Sequence, residues 1–130
     1  MADAAKLGDR VVAMDTHIIL VPSPGGPIPT PTPSPFDGKL IQNLSPTVMI
    51  DNMPVAVEGS VALNVAPHVP AGGPFQRPPS NRSTVKVGAP TVKADGKPMV
   101  RNGDVAETCN DPVDAPKGQV VASSSVKVGQ

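Results

Sequence analysis

Two stretches of the chain repeat each other at a constant offset of 44 residues. Residues 45–60 read SPTVMIDNMPVAVEGS, and residues 89–104 read APTVKADGKPMVRNGD. They share Pro46/Pro90, Thr47/Thr91, Val48/Val92, Asp51/Asp95, Pro54/Pro98 and Gly59/Gly103. Each has the form strand, tight turn, strand, glycine. Asp51-Asn52 and Asp95-Gly96 are hairpin-turn pairs, because Asn and Gly tolerate positive φ. Pro54 and Pro98 fall just past the turn, where a missing donor is tolerated on an edge or at a strand start.

A third copy is split between the ends of the chain, over residues 2–9 and 124–130. Residues 124–129 read SSVKVG and match residues 83–88, STVKVG, the lead-in to the second copy. Residues 2–9 read ADAAKLGD and resemble the second copy from Ala94-Asp95 to Gly103-Asp104, with a few residues missing. Joining the two ends completes a third unit. Three units closed into a ring explain why each end looks like half a repeat.

Composition narrows the fold class. The 130 residues fit one domain. With 18 Pro and 12 Gly, chain-breakers are about twice as frequent as average, so long helices are not expected. Hydrophobic residues still make up 38 %, and β-branched Val favours pleated surfaces. The expectation is a small all-β domain with long Pro-rich loops at 21–36 and 66–79. Val48, Val85, Val87, Val92, Val126 and Val128 are its expected core. Phe36 and Phe75 each follow a proline and are expected to pin the loops to the body.

Charge and aromatic content exclude several classes. Lys plus Arg and Asp plus Glu are both 11, so no basic face for nucleic acid or an anionic membrane surface is expected. Trp and Tyr are absent, which removes base-stacking platforms. The first ten residues lack the apolar stretch of a signal peptide, and no apolar run is long enough to span a bilayer. Synthesis in the cytoplasm with a reduced thiol is the expectation.

Cys109 is the only cysteine, so no disulfide within the chain staples so small a domain. A metal is the alternative staple. His17 stands nine residues after Gly8, His68 nine after Gly59, and Cys109 six after Gly103. Each copy thus contributes one ligand type from the segment after its glycine. About a three-fold axis these side chains would converge, and imidazole plus thiolate suits zinc ahead of iron, one ion per chain. A fourth ligand would be water, a carboxylate such as Asp15 or Asp104, or nothing. The bland alternative is a buried, inert thiol and two surface histidines.

The two units, the Gly8-Asp9 start and the His/His/Cys set resemble the PAAR-repeat family over nearly the whole chain. That family's pattern is S-P-x-V-x-x-x-G-x-P-x-A-x-x-G-D. The resemblance implies a small β cone with pseudo-three-fold symmetry that caps the trimeric spike of a contractile injection system. Such systems include type VI secretion and phage tail-like extracellular particles. It implies a non-enzymatic, metal-tied, membrane-puncturing tip, present as a monomer on a trimeric VgrG-like β-helical spike protein. The tip would become extracellular on firing or release. His17, His68 and Cys109 carry over as metal ligands. Gly8, Asp9, Pro54, Gly59, Pro98, Gly103 and Asp104 carry over as repeat positions.

Three departures stand out. Many members have a third His, which this chain lacks. Gly59-Ser60 replaces the usual Gly-Asp. The insert at 21–36 resembles PAAR-like tips of extracellular particles. No segment follows the last repeat, so any effector is expected to be loaded non-covalently. Two other readings are a small zinc-dependent hydrolase and an adaptor presenting PTPTPSP to a partner domain. The hydrolase reading is weakened by Glu58 and Glu107 being the only glutamates, neither in an HExxH arrangement.

Overall fold

The short hairpins are set by their turn residues. Asp51 and Asn52 have φ of 52° and 63°, and Asp95 and Gly96 have 53° and 78°. Positive φ at both central positions is the type I′ signature, whose twist matches that of the flanking strands. One turn joins β4 (Met49–Ile50) to β5 (Met53–Pro54), and the other joins β8 (Lys93–Ala94) to β9 (Lys97–Pro98). Met49 lies opposite Pro54, and Lys93 opposite Pro98. A third two-stranded ladder pairs β1 (Ala2–Asp3) with β12 (Lys127–Val128) across the chain ends.

The computed structural model describes residues 2–65, 67–70 and 72–128, and all its regular elements are strands. The remaining six are β2 (Arg10–Val21), β3 (Ile28–Gln42), β6 (Val61–Asn64), β7 (Arg82–Val85), β10 (Val105–Thr108) and β11 (Ala115–Val121). They close an antiparallel barrel in the order β10-β11-β2-β3-β6-β7.

Backbone hydrogen bonds below the barrel recur in threes. Ala5 N–H donates to Val100 O at 2.9 Å, Val100 N–H to Ala56 O at 3.0 Å, and Ala56 N–H to Ala5 O at 2.9 Å. This closed ring ties the three units together. Gly8, Gly59 and Gly103 stand at φ of 88°, 95° and 91°, which favours glycine. Each donates to a returning strand, at Leu40 O (3.0 Å), Val85 O (2.8 Å) and Val120 O (2.8 Å). The residue after each glycine caps its turn. Asp9 Oδ2 accepts from Lys6 N (3.0 Å), Ser60 Oγ from Val57 N (2.9 Å), and Asp104 Oδ2 from Arg101 N (2.7 Å). Ser60 therefore does with a hydroxyl what Asp9 and Asp104 do with a carboxylate.

The core is layered on the same scheme. Ala5, Ala56 and Val100 form one buried set, Val11, Ala62 and Ala106 a second, and Leu40, Val85 and Val120 a third. Phe36 and Cys109 complete this cluster. A second cluster holds Ala4, Val55 and Met99 with Ile50, Ala94 and Val128. Small residues suffice because backbones already approach closely at the ring.

Two sequence expectations are corrected. The Pro-rich stretch at 21–36 is not a loop throughout: from Ile28 onward it is strand. β3 pairs with β2 without a break, from Val21 opposite Ile28 to Arg10 opposite Lys39. Pro29, Pro31, Pro33 and Pro35 alternate with Thr30, Thr32, Ser34 and Phe36. Successive residues in a strand bond to opposite sides, so all four proline nitrogens face the edge away from β2. The intervening residues supply the donors to β2. In the valine set, Val85 and Val128 are buried and Val48 and Val92 partly so, whereas Val87 and Val126 are 61 % and 41 % exposed. The two phenylalanines differ. Phe36 is buried in the core, and Phe75 bridges Ile19 of β2.

Candidate metal centre

Each strand that leaves a glycine turn rises through the barrel and delivers a donor group beyond it. Residues 11, 13, 15, 17 and 19 of β2 share one face, by strand alternation. That face begins apolar at Val11 and Ala13, then turns polar at Asp15 and His17, which are 0 % and 1 % exposed. Cys109 directly follows β10 and is also buried. His68 stands four residues beyond β6, its side chain 2 % exposed. The structure brings His17, His68 and Cys109 together and adds Asp15, with one donor atom from each inside a span of 4.8 Å.

Asp15 is the hub. Its Oδ1 accepts hydrogen bonds from Thr108 Oγ1 at 2.5 Å and Asn110 Nδ2 at 3.3 Å. Its Oδ2 points the other way, 3.0 Å from His68 Nε2, and accepts from the Cys109 thiol at 3.6 Å. His17 Nε2 lies 3.7 Å from Cys109 Sγ. One carboxylate oxygen is thus anchored by neutral donors, and the other faces three potential ligands. Asp104, the alternative carboxylate, is elsewhere, held in its glycine turn by Arg101.

Burial governs the protonation of the group. Burial pushes the Cys109 thiol up to about 11, and the Asp15 carboxylate adds to the effect. Burial, followed by the neighbouring His68, holds His17 below its ordinary value of 6.5, with Asp111 and Asp15 partly opposing. Both groups are neutral near pH 7 without a cation.

The donor set fits a divalent ion. Metal bonds of about 2.0–2.3 Å in a tetrahedron place ligand atoms roughly 3.3–3.7 Å apart. The gaps of 3.6 and 3.7 Å match those edges, that of 3.0 Å is shorter, and all four donor atoms lie within 4.8 Å of one another. Thiolate plus carboxylate neutralise a dication, so the buried site would hold no net charge. Two nitrogens, one sulfur and one oxygen supply enough donors for a four-coordinate site.

Sequence reasoning missed the support around the donors. Thr108 and Asn110 fix Asp15, and Asn64 Nδ2 lies 3.5 Å from His68 Nδ1. Asp111 Oδ2 lies 3.6 Å from His17 Nδ1. The signal was the polar run Thr108, Cys109, Asn110, Asp111 around the sole cysteine. On the outer side of His17 and Cys109 is a depression of about 250 Å³, walled by Arg77, Pro78, Pro79 and Asp114. No protein-family model matches this chain, and no curated protein matches it.

Proposed function

We propose that the chain is a PAAR-like spike tip: a non-enzymatic cone, tied by one metal ion, that caps the trimeric spike of a contractile injection apparatus. The observation that carries this reading is the cyclic bond set through Ala5, Ala56 and Val100. A single chain that repeats its backbone contacts three times presents each partner of a three-fold spike with an equivalent surface. Met49, Met53 and Val126, on or beside the hairpins, are 55 %, 41 % and 41 % exposed and offer apolar contact there.

His17, His68, Cys109 and Asp15 would hold the ion, zinc ahead of iron. The ion would supply no reaction. It would join three strand ends where apolar packing has run out, and in zinc-finger peptides such binding carries on the order of 10 kcal/mol of folding free energy. A hydrolytic zinc keeps a position open for water, whereas four buried protein donors favour a structural site. The protein would act at the tip of a particle, carried outside the cell on firing.

The test is docking. The purified chain is mixed with a trimeric VgrG-type β-helical spike protein encoded in the same genome, and the product is weighed by light scattering. One chain per spike trimer is the expected result, with an interface of at least about 1,000 Å². A metal-loaded, folded chain that leaves the spike unbound would overturn the reading.

A further inference from the structure

His17 has two ring nitrogens with different surroundings. Nε2 faces the cluster, 3.7 Å from Cys109 Sγ. Nδ1 is buried and, among the described residues, has no hydrogen-bond partner. Asp111 Oδ2 lies 3.6 Å from it. A buried donor left unpaired is costly, so a small ring movement that closes this gap would be favourable.

We propose that Asp111 is a positioning residue for His17, with Arg77 as its outer anchor. The inference rests on the metal reading of the cluster. Asp111 is held from three directions. Its own N–H donates to Thr16 O at 2.8 Å, and its Oδ2 accepts from Ile18 N–H at 2.8 Å. Its Oδ1 receives Arg77 through Nε at 3.0 Å and Nη2 at 2.9 Å. The Asp111 side chain is 4 % exposed and that of Arg77 is 53 % exposed. Arg77 also donates to Asn110 O at 2.5 Å. Its segment is zipped onto β2 by Leu20 N–H to Pro74 O (2.8 Å) and Gln76 N–H to Ile18 O (2.9 Å). A fixed carboxylate beside Nδ1 keeps the proton there and leaves the Nε2 lone pair for the ion. The chain Arg77–Asp111–His17 thus sets both the tautomer and the angle of one ligand, from a loop outside the repeated units.

The experiment measures zinc affinity by chelator competition, and the visible spectrum with cobalt in place of zinc, in the full chain. Asp111→Ala is expected to bind zinc 10–100-fold more weakly, with one ion per chain still reached at saturation and an altered cobalt spectrum. Asp111→Asn keeps an acceptor and is expected to recover part of that loss. Arg77→Gln changes a half-exposed side chain, keeps the fold, and is expected to weaken binding a few-fold. Wild-type affinity and spectrum in both Asp111→Ala and Arg77→Gln would overturn the proposal, even if melting temperatures fall. A natural chain that takes up no zinc in the same titration would remove the metal reading itself, and this inference with it.

Discussion

The ring below the barrel and the cluster beyond it solve the same problem with different chemistry. Both tie three chain segments together. At the ring the joints are backbone: Ala5, Ala56 and Val100 exchange main-chain hydrogen bonds, and their side chains only fill space. At the cluster the joints are side chains of three kinds, with Asp15 linking His68, Cys109, Thr108 and Asn110. Backbone joints tolerate sequence drift and keep their symmetry. Side-chain joints demand particular residues and need no symmetry, so two of the four donors come from one strand, β2. Damage should therefore be graded at the ring and abrupt at the cluster.

The largest effect is expected at the donors. On the metal reading proposed above, Cys109→Ser and His68→Ala should each lose the ion, read by elemental mass spectrometry, and melt far below the natural chain. Asp15→Asn should do the same while preserving shape, because it removes the charge that balances the ion and leaves Thr108 and His68 a weaker acceptor. Acid adds a second route. Burial lowers the His17 pKa in the folded state, so the unfolded chain takes up protons first. Stability of the metal-free protein should be full above about pH 6.5 and fall as pH drops below it. Unchanged metal content and melting in all three variants would place the staple elsewhere.

A middle-sized effect belongs to the ring. Gly8, Gly59 and Gly103 share positive φ, and an added Cβ at each would meet nothing within 4 Å. The cost of Ala is then backbone conformation alone, about 1–2 kcal/mol at each site. Urea unfolding of the three single variants should give similar losses, and metal content should not change. A loss confined to one glycine would show that the three turns are not equivalent in energy. Zinc loss in any of them would couple the two ends of the barrel more tightly than the comparison allows.

Much of this arrangement was legible in the residues. Asp51-Asn52 and Asp95-Gly96 announced their turns because positive φ is a local requirement. The convergence of His17, His68 and Cys109 followed their place after the three glycines, although only His17 lies in a strand and the offsets are nine, nine and six. Asp15 was one of two carboxylates in view, and nothing in the spacing separated it from Asp104. Only the strand face does, and the face depends on where β2 begins. Thr108, Asn110 and Asp111 act through contacts with residues some 90 positions away, such as Asn110 with Thr16 and Asp111 with Ile18. Val87 and Val126 looked like core because composition carries no direction.

The proline strand was the hardest to read and supports the smallest expected effect. A missing N–H argues against a strand only where a neighbour needs the donor. Pro29, Pro31, Pro33 and Pro35 all direct that gap to the side of β3 that, among the described residues, has no strand partner, above its contact with β6, which spans Gly38 to Gln42. The free edge offers acceptors without donors, so another strand cannot add to it. Replacing all four prolines by Thr should cost little stability, at most about 1 kcal/mol per site through a freer unfolded chain. It should also create four outward donors. Light scattering across a concentration series should then show the variant associating where the natural chain does not, with zinc content unchanged in both. Equal masses at every concentration would mean that the prolines stiffen this hairpin without shielding its edge. The contrast between backbone joints and side-chain joints would then stop short of β3.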